Sequence, residues 1–284
     1  ISARAYIVKH PSRTPSNFRQ EGTLDAFLKE QNIVGLYGID TRELTKIIRE
    51  SGVMNGKISF TPDYDDTIKG YKITDAVKSV SATECRASNG NAKYKVALLD
   101  YGLKENIRRE LEKRDCEVKI FPYNSSVEDI LAYRPDGIML SNGPGDPIEN
   151  TEVINNLKKL INSSIPIFGI CLGHQLLALA NGFKTQKLKY GHRGANQPAK
   201  DLLTGKTYIT SQNHGYAVMS ESIDKTVADE WFVNVNDNTC EGIIYKNVPV
   251  FSVQFHPEAC GGPLDTGYLF NILIEKMEER YAVR

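Results

Sequence analysis

An apolar run at 165–170 leads into Gly169-Ile170-Cys171-Leu172-Gly173, and helical spacing begins at about Leu172. This pattern predicts a buried strand, a tight turn and a helix. Glycines two residues on either side of Cys171 permit a turn that holds the apical side chain in strained backbone geometry. The turn therefore places a cysteine at the carboxyl edge of a predicted sheet.

Strand-like and helix-like segments alternate through the same part of the chain. The β-rich runs at 96–100, 118–122, 137–140 and 165–170 are interleaved with helical spacing at 105–113 and 152–161. This alternation indicates a parallel sheet with helices on both faces. Short β-like segments follow at 208–253, and a last helix is predicted from about 265 to 279. The predicted fold class is α/β, with a mostly parallel sheet.

The amino-terminal part predicts a smaller α+β domain. Apolar residues recur at helical spacing from residue 24, and Asp40 with Glu43 resembles a capping box that opens a helix with Leu44, Ile47 and Ile48 on its apolar face. The stretch 79–92 is rich in small and turn-forming residues, and composition changes after it. We therefore expect a domain boundary there, with domains at 1–92 and 93–284.

Composition excludes several functional classes. Among 284 residues, 35 Lys and Arg balance 35 Asp and Glu, so the chain lacks the basic footprint that nucleic acid or an anionic membrane attracts. Its most apolar stretch, 165–180, is too short and interrupted to span a bilayer. Five cysteines without a close-spaced pair favour a reducing, cytoplasmic location. The start at Ile1, without methionine, suggests a fragment or a processed product.

Cys171 is the candidate nucleophile. At a helix N-terminus, oriented N–H groups and the helix dipole stabilise a thiolate. The alternative is a buried cysteine that acts as a small apolar residue. The candidate base is His256, which ends a strand-like run and is followed by Pro257 and Glu258, whose carboxylate can orient the imidazole and stabilise its cation. A strand-end histidine bonded to water is the alternative.

The other histidines have weaker signals. His174 lies one helical turn from Cys171 and is expected to pack under the turn, and His214 is predicted to lie in a polar loop. His10 and His192 are interpreted as surface residues.

Acyl transfer also needs donors for an oxyanion. The N–H of Leu172 follows from the turn itself, and the Gly143-Pro144-Gly145 turn can bring a second donor close. Thr204-Gly205-Lys206-Thr207 ends like a phosphate-binding loop, but Lys200 stands where that motif needs its first glycine.

Three motifs in chain order resemble the class I glutamine amidotransferases: Ser-Asn-Gly-Pro-Gly-Asp-Pro at 141–147, Gly-Ile-Cys-Leu-Gly-His-Gln at 169–175 and His-Pro-Glu at 256–258. Within that class, the segments 38–42, 191–198, 212–217 and 262–266 resemble the small subunit family of carbamoyl-phosphate synthase. The resemblance covers nearly the whole chain and assigns 93–284 to the amidotransferase domain. It makes 1–92 an incomplete first domain plus a linker.

The resemblance implies glutamine hydrolysis, with Cys171 attacking the side-chain amide, His256 as the base and Glu258 behind it. The residues that it places around L-glutamine are Gly143, Gly145, Leu172, Gln175, Asn213, Gly215 and Tyr216, with Gly143 and Leu172 as oxyanion donors. It also implies a partner, the separate large subunit, which holds ATP, bicarbonate and magnesium. No cofactor or metal is expected in this chain.

Two departures from the family pattern stand out. A serine that contacts glutamine in the family precedes the point where this chain begins, and Cys260-Gly261 follows Ala259 where many relatives have Ser-Pro. We expect the second difference to alter a loop and not the chemistry. The alternatives are an amidotransferase of another pathway, such as anthranilate or GMP synthesis, which lacks the first domain, and a non-catalytic scaffold.

Overall fold

The structure, a computed structural model, describes residues 3–61, 66–88, 90 and 92–282. The chain forms two compact units, Ile1–Tyr71 and Lys72–Arg284. This division falls about twenty residues before the predicted boundary. The reason is that Ala76 and Val77 are buried within the larger unit and Arg86–Ala87 joins its sheet.

The smaller unit has a two-stranded parallel sheet and short helices. Its elements are β1 (Ala5–Val8), α1 (Leu24–Glu30), β2 (Val34–Tyr37), α2 (Thr41–Ser51) and α3 (Thr67–Gly70). Strands β1 and β2 pair in parallel. The Asp40 carboxylate caps α2 by accepting the N–H groups of Arg42 and Glu43, and Gly52 ends the helix at a φ of 80°. The predicted helix start is confirmed.

The apolar side chains of this unit are largely accessible to solvent. None of its described residues is buried, and Ile47 and Ile48, on the predicted apolar face of α2, are 45 % and 41 % exposed. Burial of α2 within the described part of the unit therefore contributes little to its stability.

The larger unit contains ten strands and five helices among its described residues. The elements are β3 (Arg86–Ala87), β4 (Tyr94–Asp100), α4 (Glu105–Glu112), β5 (Cys116–Pro122), α5 (Val127–Ala132), β6 (Gly137–Leu140), α6 (Thr151–Ile161), β7 (Ile167–Ile170), α7 (Leu172–Ala180), β8 (Thr185–Asp201), β9 (Thr207–Val218), β10 (Ala228–Asn234), β11 (Cys240–Tyr245), β12 (Val250–Val253) and α8 (Leu269–Ala282).

All ten strands form one sheet in the order β3-β5-β4-β6-β7-β12-β11-β10-β8-β9. Five adjacent strands, β5, β4, β6, β7 and β12, are parallel to one another. Strand β3 is antiparallel to β5, and the strands beyond β12 are antiparallel to their neighbours. The predicted α/β class with a mostly parallel core is confirmed. Among the described residues, no helix has both the length and the apolar content needed to cross a bilayer.

Alternating residues of β4 enter two apolar clusters, one on each face of the sheet. Ala97 and Leu99 pack with residues of α5, α6 and α7, whereas Val96 and Leu98 pack with residues of α4 and α8. Because successive side chains of a strand point to opposite faces, the two helix groups cover opposite faces.

The sequence prediction missed several elements. Of the short β-like segments predicted over 208–253, the first is part of a long hairpin, β8–β9, and the others correspond to β10, β11 and β12. Strand β8 and helix α5 were not predicted. The predicted last helix begins with a 3₁₀ turn at Asp265–Tyr268 before α8. The strand at 137–140 and the helix start at Leu172 match the prediction.

Helix α7 lies unusually close to the sheet. A Cβ at Gly169 would lie 2.9 Å from the Gly173 carbonyl, and a Cβ at Gly173 would lie 2.7 Å from both the Leu140 carbonyl oxygen and its Cβ. Backbone atoms cannot yield as a flexible side chain does, so both positions exclude larger residues. The two glycines of the motif therefore set the helix-to-sheet distance.

We expect Gly173→Ala to lower the free energy of unfolding of the larger unit by about 1–3 kcal/mol, because the added methyl group overpacks the contact with Leu140. Urea unfolding monitored by circular dichroism measures the change. Gly267→Ala is the matched control, since a Cβ there meets no atom within 4 Å. Equal stability of the two variants would contradict the close-packing interpretation.

Candidate active site

Cys171 occupies a strained turn between β7 and α7. Its backbone has φ 53° and ψ −101°, a region that residues with a side chain rarely adopt. The Cys171 N–H donates to the Val253 carbonyl at 2.9 Å, and the Cys171 carbonyl accepts the Gln175 N–H at 3.2 Å. These bonds tie the turn to β12 on one side and to the first turn of α7 on the other.

His256 and Glu258 reach Cys171 because of the strand order. Strand β12 pairs in parallel with β7, with Val253 opposite Ile170, so the residues after both strands emerge at the same edge of the sheet. The His256 Nδ1–H donates to Glu258 Oε1 at 2.8 Å, and the Cys171 sulfur lies beside the imidazole. His256 and Glu258 are both buried. The structure thus places the three predicted catalytic side chains in one chain of contacts.

Electrostatics favour the protonated imidazole in this arrangement. Burial lowers the pKa of His256, but the Glu258 carboxylate and the Cys171 sulfur outweigh it and raise the pKa to about 9. Burial raises the pKa of Glu258, and the charges of His256 and Lys104 reverse this, so the pKa of that carboxyl lies below its usual value. The pair is therefore an imidazolium and a carboxylate near neutral pH.

Lys104 is a charged neighbour that sequence reasoning missed. Its Nζ lies 3.8 Å from Glu258 Oε1 and 3.3 Å from His256 Nδ1. It follows β4, whose carboxyl end lies at the same edge, and the Asp100 carboxylate orders the intervening loop by accepting the N–H groups of Gly102 and Leu103. The available sequence signal was a lysine four residues after a predicted parallel strand.

The glycine loop at 141–147 lies beside the turn. A Cβ at Gly143 would lie 2.6 Å from Leu172 Cδ2 and 2.3 Å from the Tyr101 carbonyl oxygen, so only glycine fits there. Gly145 has φ +89°, which also favours glycine. The Gly173 N–H donates to the Ser141 carbonyl at 3.2 Å. The structure thus brings the two predicted oxyanion donors, Gly143 and Leu172, next to each other.

The remaining predicted glutamine-pocket residues connect α7 to β9. The Gln175 side-chain amide donates to the Tyr216 carbonyl and to Gln254 Oε1, both at 2.8 Å. Burial and a hydrogen bond to Asp146 raise the pKa of Tyr216 to about 12. Asn213 is exposed and Gly215 is half-buried on the same strand. Tyr216 therefore contacts both the glycine loop and the helix behind Cys171.

Two histidine predictions were wrong. His214 lies on β9 and not in a loop, and its side chain is 2 % exposed. His192 is not a surface residue, since its side chain is 11 % exposed and contacts Glu241 and Asp237. The prediction for His174 is confirmed, because it is buried behind Cys171 and bonded to Ser252 Oγ at 2.9 Å.

Comparison with known proteins identifies the class of the larger unit. Residues 97–276 match the family model for glutamine amidotransferase class-I. A solved structure from Thermoplasma acidophilum, assigned to a GMP synthase, covers 69 % of this chain and 98 % of its own with a TM-score of 0.59 and 20 % identity. At that identity the likeness shows the fold alone.

Residues 1–58 match the carbamoyl-phosphate synthase small chain, CPSase domain. The carbamoyl phosphate synthase small chain of Bacillus cereus is 50 % identical over 98 % of this chain and 76 % of that protein. Its counterpart from Fusobacterium nucleatum is 47 % identical over 97 % and 78 %. The chain belongs to the carbamoyl-phosphate synthase small chain family.

We expect Glu258→Gln to lower the pKa of His256 from about 9 by about one pH unit or more, because burial then acts without the opposing carboxylate. NMR of ¹⁵N-labelled histidine rings across pH measures the midpoint. Glu279→Gln, an exposed glutamate on α8, is the control. An unchanged titration midpoint of His256 in Glu258→Gln would show that the carboxylate does not stabilise the imidazolium.

Lys104→Met should move the acidic limb of the glutaminase kcat/KM profile to higher pH by about half a unit, because Lys104 helps to keep Glu258 ionised. Lys104→Arg keeps the charge and should restore the wild-type profile. Superimposable profiles for wild type and Lys104→Met would exclude this electrostatic role.

Proposed function

We propose that this chain is the glutaminase component of a carbamoyl-phosphate synthase and hydrolyses L-glutamine with Cys171, His256 and Glu258. The observation that carries the proposal is a cysteine at a positive-φ apex beside a buried His256–Glu258 pair. Membership of the small chain family supports the same assignment.

In the proposed first half-reaction, the Cys171 thiolate attacks the side-chain amide carbon of glutamine, and a carbon–sulfur bond forms. The amide oxygen gains negative charge, which the N–H groups of Gly143 and Leu172 stabilise. The carbon–nitrogen bond then breaks as the His256 imidazolium gives its proton to the leaving nitrogen, and ammonia departs. The products of this step are a glutamyl thioester and a neutral imidazole.

In the second half-reaction, neutral His256 takes a proton from water, and the resulting hydroxide attacks the thioester carbon. The carbon–sulfur bond breaks, glutamate leaves and the thiolate–imidazolium pair is restored. Glu258 holds the imidazole by its Nδ1–H, so that Nε2 faces the reacting atoms. Lys104 keeps that carboxylate ionised without touching the substrate.

The proposed pocket for glutamine consists of Gly143, Gly145, Leu172, Gln175, Asn213, Gly215 and Tyr216. Contacts between Gln175, Tyr216 and Asp146 support it, because they join α7, β9 and the glycine loop around the Cys171 turn. Gln175 already makes two side-chain hydrogen bonds, so it orders the pocket wall.

We assign ammonia consumption to a large synthetase subunit that binds ATP, bicarbonate and magnesium, as the family implies. A cytoplasmic location belongs to the same proposal. It is supported by the five free thiols of the chain, three of them buried, which suit a reducing compartment.

The two alternatives have less support. The match of residues 1–58 to the small chain domain disfavours an amidotransferase of anthranilate or GMP synthesis. The strained, hydrogen-bonded cysteine disfavours a scaffold that has lost its chemistry, since such strain persists only where surrounding packing maintains it.

We expect Cys171→Ser to lower glutamine-dependent carbamoyl phosphate synthesis by at least about a thousandfold in the complex with the large subunit, while ammonia-dependent synthesis persists. Cys260→Ser, at an exposed thiol near Glu258, is the matched control and should retain activity. Labelling with a glutamine-analogue electrophile, read by mass spectrometry, should modify Cys171 selectively. Retained glutaminase activity in Cys171→Ser would refute the assigned nucleophile.

A further inference from the structure

A second cluster of chemically capable side chains lies in the antiparallel half of the sheet. His192 on β8 pairs with His214 on β9, their ring centroids are 4.9 Å apart, and Glu241 lies beside them on β11. The three side chains are 11 %, 2 % and 0 % exposed. One ligand atom from each lies within 4.8 Å of the others. The glutaminase mechanism proposed above uses none of these three side chains.

Each histidine is oriented by a partner on its outer ring nitrogen. His192 Nε2 lies 2.8 Å from Asp237 Oδ2, which leaves Nδ1 3.2 Å from Glu241 Oε1. The His214 Nδ1–H donates to the Tyr216 carbonyl at 2.8 Å, which leaves Nε2 3.9 Å from the same Glu241 oxygen. Metal-binding histidines almost always have such a carboxylate or carbonyl partner on the other nitrogen.

The hydrogen bonds around Gln212 place another acceptor in the cluster. The Thr210 hydroxyl donates to the Gln197 carbonyl, and the Gln212 amide nitrogen donates to Thr210 Oγ1 at 3.0 Å. This orientation points Gln212 Oε1 at His214 Nε2, 3.1 Å away, although Nδ1 already carries the ring proton. Two lone pairs therefore face each other without a hydrogen between them.

Glu241 also has few donors, since its Oε1 has one close partner, His192 Nδ1 at 3.2 Å. Its Oε2 is buried without a hydrogen-bond partner among the described residues. The Asn234 amide nitrogen lies 3.4 Å from Glu241 Oε1 and 3.5 Å from His192 Nδ1, too far for a strong bond to either. A buried carboxylate with so few donors is costly unless a positive charge compensates it.

We propose that His192 Nδ1, His214 Nε2, Glu241 Oε1 and Gln212 Oε1 bind one divalent transition-metal ion, and that this ion is zinc. Two imidazole nitrogens and two oxygens suit zinc better than magnesium or calcium, which prefer oxygen alone.

Two of the separations between the proposed ligand atoms match those of a tetrahedral site. Bonds of about 2.0–2.1 Å at the tetrahedral angle separate neighbouring ligand atoms by about 3.3 Å. The separations of 3.2 Å from His192 to Glu241 and 3.1 Å from His214 to Gln212 agree with this value. His214 Nε2 and Glu241 Oε1 are 3.9 Å apart, and a side-chain shift of under about 1 Å would bring them to this separation.

The proposed ion would fix the strand that lines the glutamine pocket. His214 lies between Asn213 and Gly215, and the carbonyl that orients it, from Tyr216, also accepts the Gln175 amide. This consequence rests on the proposed glutaminase function, whereas the metal site itself does not.

The test uses the full chain after alkylation with iodoacetamide, so that neither Cys171 nor the exposed thiols can take up metal. A chelator first removes bound metal, and zinc is then titrated into the chain. Mass spectrometry counts the bound metal, and the midpoint of thermal unfolding is measured at each zinc concentration. We expect one zinc per chain and a higher midpoint. Glu241→Gln and His214→Gln should weaken binding at least tenfold, and Asp237→Asn should weaken it about 10–100-fold.

Glu230→Gln, on neighbouring β10 and outside the cluster, is the matched control and should bind zinc like the wild type.

Should the ligand variants fail to fold, cobalt added to the wild-type chain provides a second measurement, because tetrahedral coordination by nitrogen and oxygen gives visible absorption bands. Absence of both zinc uptake and cobalt bands would overturn the proposal, as would a Glu241→Gln chain that binds zinc as tightly as wild type. Either result would leave a proton on His192 Nδ1 as the compensating charge. Since these readouts do not measure glutaminase activity, failure of the metal site is distinguishable from failure of the proposed function.

Discussion

The geometry of the candidate active site depends on the strained backbone at Cys171. A residue with a side chain at φ 53° and ψ −101° costs about 1–3 kcal/mol. The strain persists because Gly169 and Gly173 let α7 lie against β6 and β7, where Leu176 and Leu177 are completely buried. Burial of each such leucine contributes about 1.5–3 kcal/mol, so helix packing outweighs the strain at the turn. The sulfur is therefore held in position by a helix that cannot move without losing its core contacts.

Strand order then determines what surrounds the sulfur. Because β4, β6, β7 and β12 are parallel, the segments after each of them emerge at one edge of the sheet. They bring Lys104, the glycine loop at 141–147, Cys171 and the His256–Glu258 pair to that edge. Buried charges are unfavourable unless they compensate one another. Here a lysine and an imidazolium both lie beside Oε1 of the Glu258 carboxylate, and this arrangement keeps the imidazole oriented.

Local sequence signals predicted the parallel half of the fold well and the antiparallel half poorly. The strand at 137–140 and the turn at Cys171 are encoded by contiguous apolar residues and glycines, and the structure has them at the predicted positions. Strand β8 contains lysine, glutamine and glycine and shows no apolar alternation. It is a strand because it pairs with β9, and its own residues do not indicate one. His192 was wrongly predicted to be a surface residue, because its partner Glu241 is distant in sequence. Lys104 was missed because nothing near it in sequence indicates Glu258.

The two halves of the sheet stabilise the candidate site by different means. On the parallel side, apolar clusters on both faces fix the strands through close-packed dispersion contacts. On the antiparallel side, β9 is held to α7 by the hydrogen bond from the Gln175 amide to the Tyr216 carbonyl and to β8 by backbone pairing. Hydrogen bonds weaken steeply with misalignment, and an unmade buried bond is more costly than a slightly loosened apolar contact. The pocket proposed for glutamine at Asn213 and Tyr216 needs this stricter positioning to distinguish glutamine from similar amino acids, whereas the proposed nucleophile needs only a rigid turn. This difference gives a physical reason why buried polar residues such as Gln212, His214 and Glu241 lie on and beside the predicted substrate-binding strand.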